Sequence, residues 1–452
     1  MKKIISIFFC CQLLGLLYGQ NEAAATQRAV VGLLANQLNR AELKLEDGSV
    51  LYKISALLDV PIKNAEPFLA VSITWEADNW DKEDQFFAMF YKEDKASAPV
   101  RIIEDEHAEH VEGKYIGQLV FTESDYQKFR LQYSGNSKIE NIRVHFFNPG
   151  KSISVAKDKP EELIVRSACA CGQPAYSKRS NWCPAGNCPP NPSPSPTNVT
   201  HLIIHHSAGP NISNDWAAVV RSFWDFHVNV NGWSDIGYNW LIDPNGVVYE
   251  GRGDNILGAH FCGKNTGTMG VCVIGDFTSI APSQAALDKL KELLSWKACD
   301  VGLDPLGSSF HNSSGLILKN ISGHRDGCAT SCPGDTFYPM LPSVRSGVKD
   351  WIENVCQNLT ASKEIEADRN EVKVFPNPTG NEVFVEVEGQ WDGDVQASIY
   401  DIYGRLAMPG IFYENAGTQN GLRFDIGQLN PGVYWLVLKK PSGGRVFKVI
   451  KN

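Results

Sequence analysis

After its N-terminal apolar stretch, this 452-residue chain has no long apolar run, so no later segment is suited to cross a membrane as a helix. It also lacks a basic excess. The formal charge is -9, which excludes the usual electrostatic footprint of a nucleic-acid binder. Cysteine is missing from everything after Cys356, so nothing ties that end of the chain covalently to the rest. Neither charged nor aromatic residues are depleted, which excludes a disordered chain, and the length suggests roughly three domains.

What is present begins with an export signal. Lys2 and Lys3 precede an apolar core at residues 4–17 that is too short to span a bilayer, and a cleavage point before Gln20 is expected. Residues 1–19 are thus read as a signal peptide, and the mature chain as exported with no transmembrane segment. Disulfides are allowed there. Ten cysteines remain beyond Cys10 and Cys11, an even number that permits full pairing.

Residues 20–64 form an N-terminal segment, with some helical character between Ala24 and Leu43. Residues 65–160 read as a β-rich accessory domain, because PFLAVSITWEA, DQFFAMFYKED, KFRLQYSG and IRVHFFNPG are short β-branched and aromatic runs. Within it EDEHAEH, carrying His107 and His110, reads as a solvated acidic loop rather than a metal site. Residues 161–197 are a linker with four cysteines and a Pro/Ser tract; two disulfides fit Cys169, Cys171, Cys183 and Cys188 better than a zinc knuckle does. Residues 198–360 alternate strand and helix, as an α/β domain with a mixed β-sheet flanked by helices. A helical face of Trp216, Val219, Val220, Phe223 and Phe226 is followed by a hairpin turning at Asp243 and a buried strand TMGVCVIGDF. Ser283 then caps a further helix. After a linker at 361–371, residues 372–452 read as a small β-sandwich.

The chemistry-bearing residues gather in the α/β domain. His205 and His206 end its first strand, and SGHRDGCATSCPG places His324, Cys328 and Cys332 close together. A catalytic zinc needs three protein ligands and an open position, and it lowers the pKa of water from about 15.7 toward about 7. Two histidines and a cysteine are such a set. On its own, SGHRDGCATSCPG reads more readily as a loop disulfide beside a surface histidine. His206 reads as structural or as support for its neighbour, and His227 as packing.

IIHHSAG, GWSDIGYNWLID, YEGRG, GAHFCGKNTGTMGVCVIGDF and GHRDGCATSCPG, in that order, closely resemble the peptidoglycan recognition proteins and zinc N-acetylmuramoyl-L-alanine amidases (amidase type 2). The resemblance implies Zn2+ held by His205, His324 and Cys332, with Tyr238 and Thr330 assisting hydrolysis of the amide between N-acetylmuramic acid and L-alanine. It implies that Trp233, Arg252, His260 and Asn265 lie near the substrate, peptidoglycan or its muramyl peptides. The competing reading is a non-catalytic peptidoglycan-binding surface protein. Cysteine pairs expected in this domain are Cys262 with Cys328 and Cys272 with Cys299, leaving Cys356 unpaired. VFPNPTGNEVFVE, IYDIYGR, LNPGVYWLVL and a final KVIKN resemble the C-terminal sorting domain of the type IX secretion system. That implies contact with the secretion machinery and a secreted or cell-surface protein.

Overall fold

The computed structural model describes residues 26–45, 48–81, 83–108, 111–152, 171–356, 372–387, 395–401, 406–413, 422–440 and 443–452. The expected signal peptide, His110, Cys169 and the linker at 361–371 lie outside the described residues.

The N-terminal part is two antiparallel sheets. One runs in the order Gln27–Leu33, Ile139–Asn148, Leu69–Ala77 and Val120–Thr122, with Lys114–Ile116 also paired to Leu69–Ala77. The other runs Asn39–Leu45, Gly48–Ile54, Lys128–Ser134, Gln85–Lys92 and Lys95–Ala96. Alternation decides which residues face inward: Phe86, Ala88 and Phe90 are buried on one strand and Phe129, Leu131 and Tyr133 on its neighbour, where Phe86 lies opposite Tyr133. The helical character expected between Ala24 and Leu43 is not found. Gln27–Leu33 pairs along its length with the strand ending at Asn148, and Asn39–Leu45 forms a hairpin with Gly48–Ile54. Partner strands that complete the backbone hydrogen bonds override a weak local helical preference.

The α/β part has a six-stranded mixed sheet in the order Tyr176–Ser177, Val248–Glu250, Trp240–Ile242, Thr268–Val273, His201–His206 and Ile321–Gly323. Only the Trp240–Ile242 and Val248–Glu250 hairpin is antiparallel. Helices Trp216–Asn229, Gln284–Asp300 and Leu341–Asp350 accompany it. Asp215 accepts a hydrogen bond from the Ala218 N–H, and Ser283 accepts one from Ala286, so both longer helices start on a side-chain cap.

The N-terminal sheets and the α/β part form one compact unit. Ala70, Leu119 and Phe147 from the sheets share a core with Trp182, Val219, Val220 and Phe223, and Phe121 meets Phe223 edge-on at 5.7 Å. Arg221 fastens this junction. Buried in the helix face, it donates to the carbonyls of Pro149 at 2.8 Å, Gly150 at 2.7 Å and Trp182 at 2.5 Å. Arg28 pairs with buried Asp225 at 3.0 Å nearby.

The C-terminal strands belong to a second unit. A three-stranded sheet, Val372–Phe375, Glu382–Val387 and Leu422–Asp425, and a four-stranded sheet built on Val395–Asp401 and Gly432–Lys440 contribute to one core, with Val383, Val385, Ile399, Phe424, Leu436 and Leu438 buried.

The disulfides correct several expected pairings. Cys262–Cys328 forms as expected. Cys183 pairs with Cys188, but Cys171 pairs with Cys356, which is therefore no odd thiol. Cys272 is free, and Cys299 is disulfide-bonded elsewhere, so the pair Cys272–Cys299 does not exist. Cys272 lies in a central strand with its sulfur inside the core.

Replacing Arg221 with Met would leave three buried carbonyls without donors, a loss of roughly 3 kcal/mol in urea unfolding. A second outcome concerns pH. Burial and the Arg143 charge lower His145 to about 4. As pH falls from 6.5 toward 4 the unfolded chain binds a proton that the folded chain refuses, so stability falls across that window. In His145→Gln the urea midpoint is expected to fall less steeply there than in the wild type.

Candidate metal centre

Parallel strands place the centre. His205 ends the strand His201–His206, and the strand beside it, Ile321–Gly323, delivers His324 to the same sheet edge, with Ile204 opposite Gly323. Loops beyond the carboxyl ends of parallel strands are where α/β folds gather functional groups. His324 opens a short 3-10 turn closed by Asp326, which accepts from the Gly323 N–H at 2.8 Å. The chain then returns: the Arg325 N–H donates to the Cys332 carbonyl at 3.0 Å, bringing the thiol back over the histidines. Gly334 takes φ +102° at this return, where a Cβ would lie 2.4 Å from the Phe277 carbonyl. Only glycine fits there.

His205, His324, Cys332 and His107 place one ligand atom each within 4.8 Å of one another. The first three are fully buried or nearly so. Cys332 Sγ lies 3.7 Å from His205 Nδ1. The other nitrogen of His205, Nε2, is 3.0 Å from His260 Nδ1, and His260 Nε2 is 3.2 Å from Thr268 Oγ1, which donates to the Asn265 carbonyl at 2.7 Å. Read from that carbonyl backward, the chain puts a proton on His205 Nε2 and leaves Nδ1 bare, facing the thiol. Gly258 and Gly270 make room for the His260 ring, since a Cβ on either would lie 2.3 or 2.5 Å from its Cδ2.

Electrostatics favour neutral imidazoles at His205 and His324. Burial, with neighbouring imidazoles, holds His205 and His324 well below the usual histidine value, and burial raises the Cys332 thiol. Both ring nitrogens of His324 and Nε2 of His107 are buried with no hydrogen-bond partner. Unpaired buried polar atoms are costly. Imidazole nitrogens and a thiolate at this separation suit a borderline-soft tetrahedral cation, so the residues fit zinc.

Tyr238 lies against the cluster, its ring 5.3 Å from His205, and burial pushes its phenol well above the usual range, so it stays protonated. Thr330 accepts from the Cys332 N–H at 3.0 Å and donates to Glu106. The four residues expected near substrate make internal contacts. Arg252 donates to the carbonyls of Ile236 at 2.7 Å, Leu257 at 2.9 Å and Asp235 at 3.3 Å. Asn265 accepts from the N–H groups of His260 and Phe261, and Trp233 lies over His227 at 4.7 Å. His206 accepts from the Phe277 N–H and His227 from the Gly237 N–H, both structural roles.

The acidic loop overturns its expectation. His107 is 9 % exposed rather than solvated, and its ring stacks on His324 at 5.1 Å. No spacing rule could have found it, because the loop belongs to the N-terminal sheets. Asn239 was also missed. Its side chain bonds the Gly270 N–H and the Gly253 and Ile256 carbonyls, knitting the hairpin to the central strand.

Two regions of the chain are similar to known protein families. Residues 195–335 match the family model described as N-acetylmuramoyl-L-alanine amidase, and residues 373–452 match the secretion system C-terminal sorting domain. The chain is 36 % identical over 176 residues to the N-acetylmuramoyl-L-alanine amidase of Sus scrofa, covering 38 % of this chain and 27 % of that protein. It thus spans only about a quarter of that relative's length. It is 31 % identical over 182 residues to peptidoglycan-recognition protein SC2 of Drosophila simulans, covering 39 % of this chain and 91 % of that one. With peptidoglycan-recognition protein SC1a of Drosophila melanogaster identity is 36 % over 142 residues, covering 31 % of this chain and 70 % of that one. By its central domain the chain belongs to the N-acetylmuramoyl-L-alanine amidase family that includes the peptidoglycan-recognition proteins.

Proposed function

We propose that this protein is a secreted, zinc-dependent N-acetylmuramoyl-L-alanine amidase. The observation that carries the proposal is the convergence of His205, His324 and Cys332, with buried nitrogens that no protein group satisfies, beside a neutral Tyr238. Zinc held by those three residues would supply Lewis-acid polarisation of the amide carbonyl and lower the pKa of attacking water.

The chain's own residues do the rest. His260 and Thr268 fix the tautomer and orientation of His205, as outer partners of metal ligands do. The protonated Tyr238 phenol, whose hydroxyl meets Cys272 in this structure, would donate to the oxyanion that develops when the amide carbonyl is attacked. Thr330, whose hydroxyl donates to Glu106 in this structure, would be a second hydroxyl donor, from the loop that carries Cys332. In the net reaction the C–N bond breaks, water's oxygen joins the lactyl carbonyl and its proton goes to the leaving amine. Arg252, Asn265 and Trp233 would act through their internal contacts, by holding the loops around the centre. The Cys262–Cys328 disulfide ties the loop that follows His260 to the loop that follows His324. The sorting domain match at 373–452 supports export through a type IX system to the cell surface or outside. Among the described residues no helix is long and apolar enough to cross a membrane.

Zinc near one equivalent per chain is expected by metal analysis, and Cys332→Ala should lose both the metal and the release of stem peptides from muropeptides, as should chelation. Tyr238→Phe is expected to keep zinc and lower kcat by roughly a hundredfold, the usual cost of one oxyanion donor. Zinc-loaded wild-type and His107→Ala chains that both bind peptidoglycan without producing new amine termini would leave only a binding function.

A further inference from the structure

The ligand set just described leaves the position of His107 unexplained. A catalytic zinc keeps one position open for water or substrate, whereas four protein ligands close it. We propose that His107, from the N-terminal sheets, is a fourth protein ligand of the same metal ion, and that its loop holds the chain in a latent form. The inference rests on the reading of His205, His324 and Cys332 as metal ligands.

Four observations converge. The His107 Nε2 atom is buried without a partner, and the residue's ligand atom lies within 4.8 Å of the other three. Its Nδ1 faces Asp105 Oδ1 at 3.3 Å, and Asp105 is itself held by the His107 N–H at 3.1 Å and by Asn231 Nδ2 at 3.2 Å. A carboxylate on one imidazole nitrogen, with the other aimed at a cluster of ligands, is how proteins orient a metal-bound histidine. The ring lies 5.1 Å from that of His324 with an interplanar angle of 23°. Beside it Glu106 accepts from the Thr330 hydroxyl, from the Ser331 N–H at 2.9 Å and from Ser331 Oγ at 3.1 Å. The loop therefore takes both the open metal position and the hydroxyl proposed to face the substrate.

The loop is not a passing contact. Asp105 N–H donates to the Ile116 carbonyl at 2.8 Å and Gln118 N–H to that of Ile103 at 2.8 Å, so the loop is stitched into the sheets. Those sheets share a hydrophobic core with helix Trp216–Asn229. Opening the site requires that the loop be cut or that the contacts of His107 and Glu106 be displaced. A site open in about one molecule in a hundred would work at about a hundredth of its intrinsic rate.

Cobalt(II) substitution of the full-length chain tests this without relying on activity alone. The wild type is expected to give a four-coordinate visible spectrum unchanged by added azide. His107→Ala should keep cobalt, show an altered spectrum that azide shifts further, hold zinc at least about tenfold more weakly in chelator competition, and release stem peptides at least about tenfold faster. Asp105→Asn should move each readout in the same direction by less, which guards against a misfolded alanine variant. An unaltered spectrum and zinc affinity in both variants would overturn the proposal, as would a His107→Ala chain that keeps its metal yet hydrolyses more slowly. If the wild type binds no cobalt, the three-ligand reading fails, and this proposal with it.

Discussion

Three imidazole nitrogens on His107 and His324 are buried without a partner in the protein, beside the buried thiol of Cys332. This is the constraint on which the site depends. A buried polar atom left unpaired costs on the order of 1–3 kcal/mol, and a domain tolerates several in one place only if something completes them. A divalent cation would complete one nitrogen on each ring, since each residue offers one ligand atom to the cluster. It also explains why burial keeps His205 and His324 neutral, since a protonated imidazole cannot be a ligand.

The surrounding fold is arranged to meet that constraint. Parallel pairing of His201–His206 with Ile321–Gly323 fixes where two histidines emerge, and this depends on backbone register alone. Rotation of the His205 ring is fixed separately, by the bonds through His260 and Thr268 to the Asn265 carbonyl. That series in turn needs Gly258 and Gly270, because any larger residue would fill the space of the His260 ring. Asn239, Asn265 and Arg252 satisfy backbone groups of the loops that hold these parts. Their polar side chains act as fixed struts for those loops.

How much of this could be read beforehand varied with the range of the interaction. The helix at Trp216–Asn229 was legible because its apolar spacing has one period, and the hairpin around Asp243 because its turn residues sit between two apolar runs. The meeting of His205 with His324 and Cys332, the candidate ligands, was legible only through family resemblance, since nothing in a linear spacing says that residues more than a hundred positions apart meet. Disulfide partners were harder. Cys262 with Cys328 followed from two loops already expected to meet, but Cys171 with Cys356 joins segments whose proximity no pattern encodes. The acidic loop with His107 was misread for the same reason. Acidic composition predicts solvation, yet Asp105 and Glu106 are used by specific donors on the α/β domain. The strand Gln27–Leu33 was misread because its partner lies more than a hundred residues away.

A ligand supplied by the N-terminal sheets would make metal binding and domain docking a single linked equilibrium. The sheets already rest on helix Trp216–Asn229 through apolar packing and through Arg221. If His107 binds the ion only when docked, the ion tightens docking by the same factor by which docking tightens the ion, because linkage is reciprocal. The two contacts then differ in kind. Apolar packing holds the sheets in place whatever the metal content, whereas the His107 contact adds stability only when the centre is loaded. Substrate competing for the open metal position would act against that second part alone. A polar clasp laid over an apolar hinge lets the site be closed firmly and still be opened by a ligand, because only the clasp, and not the hinge, has to be displaced.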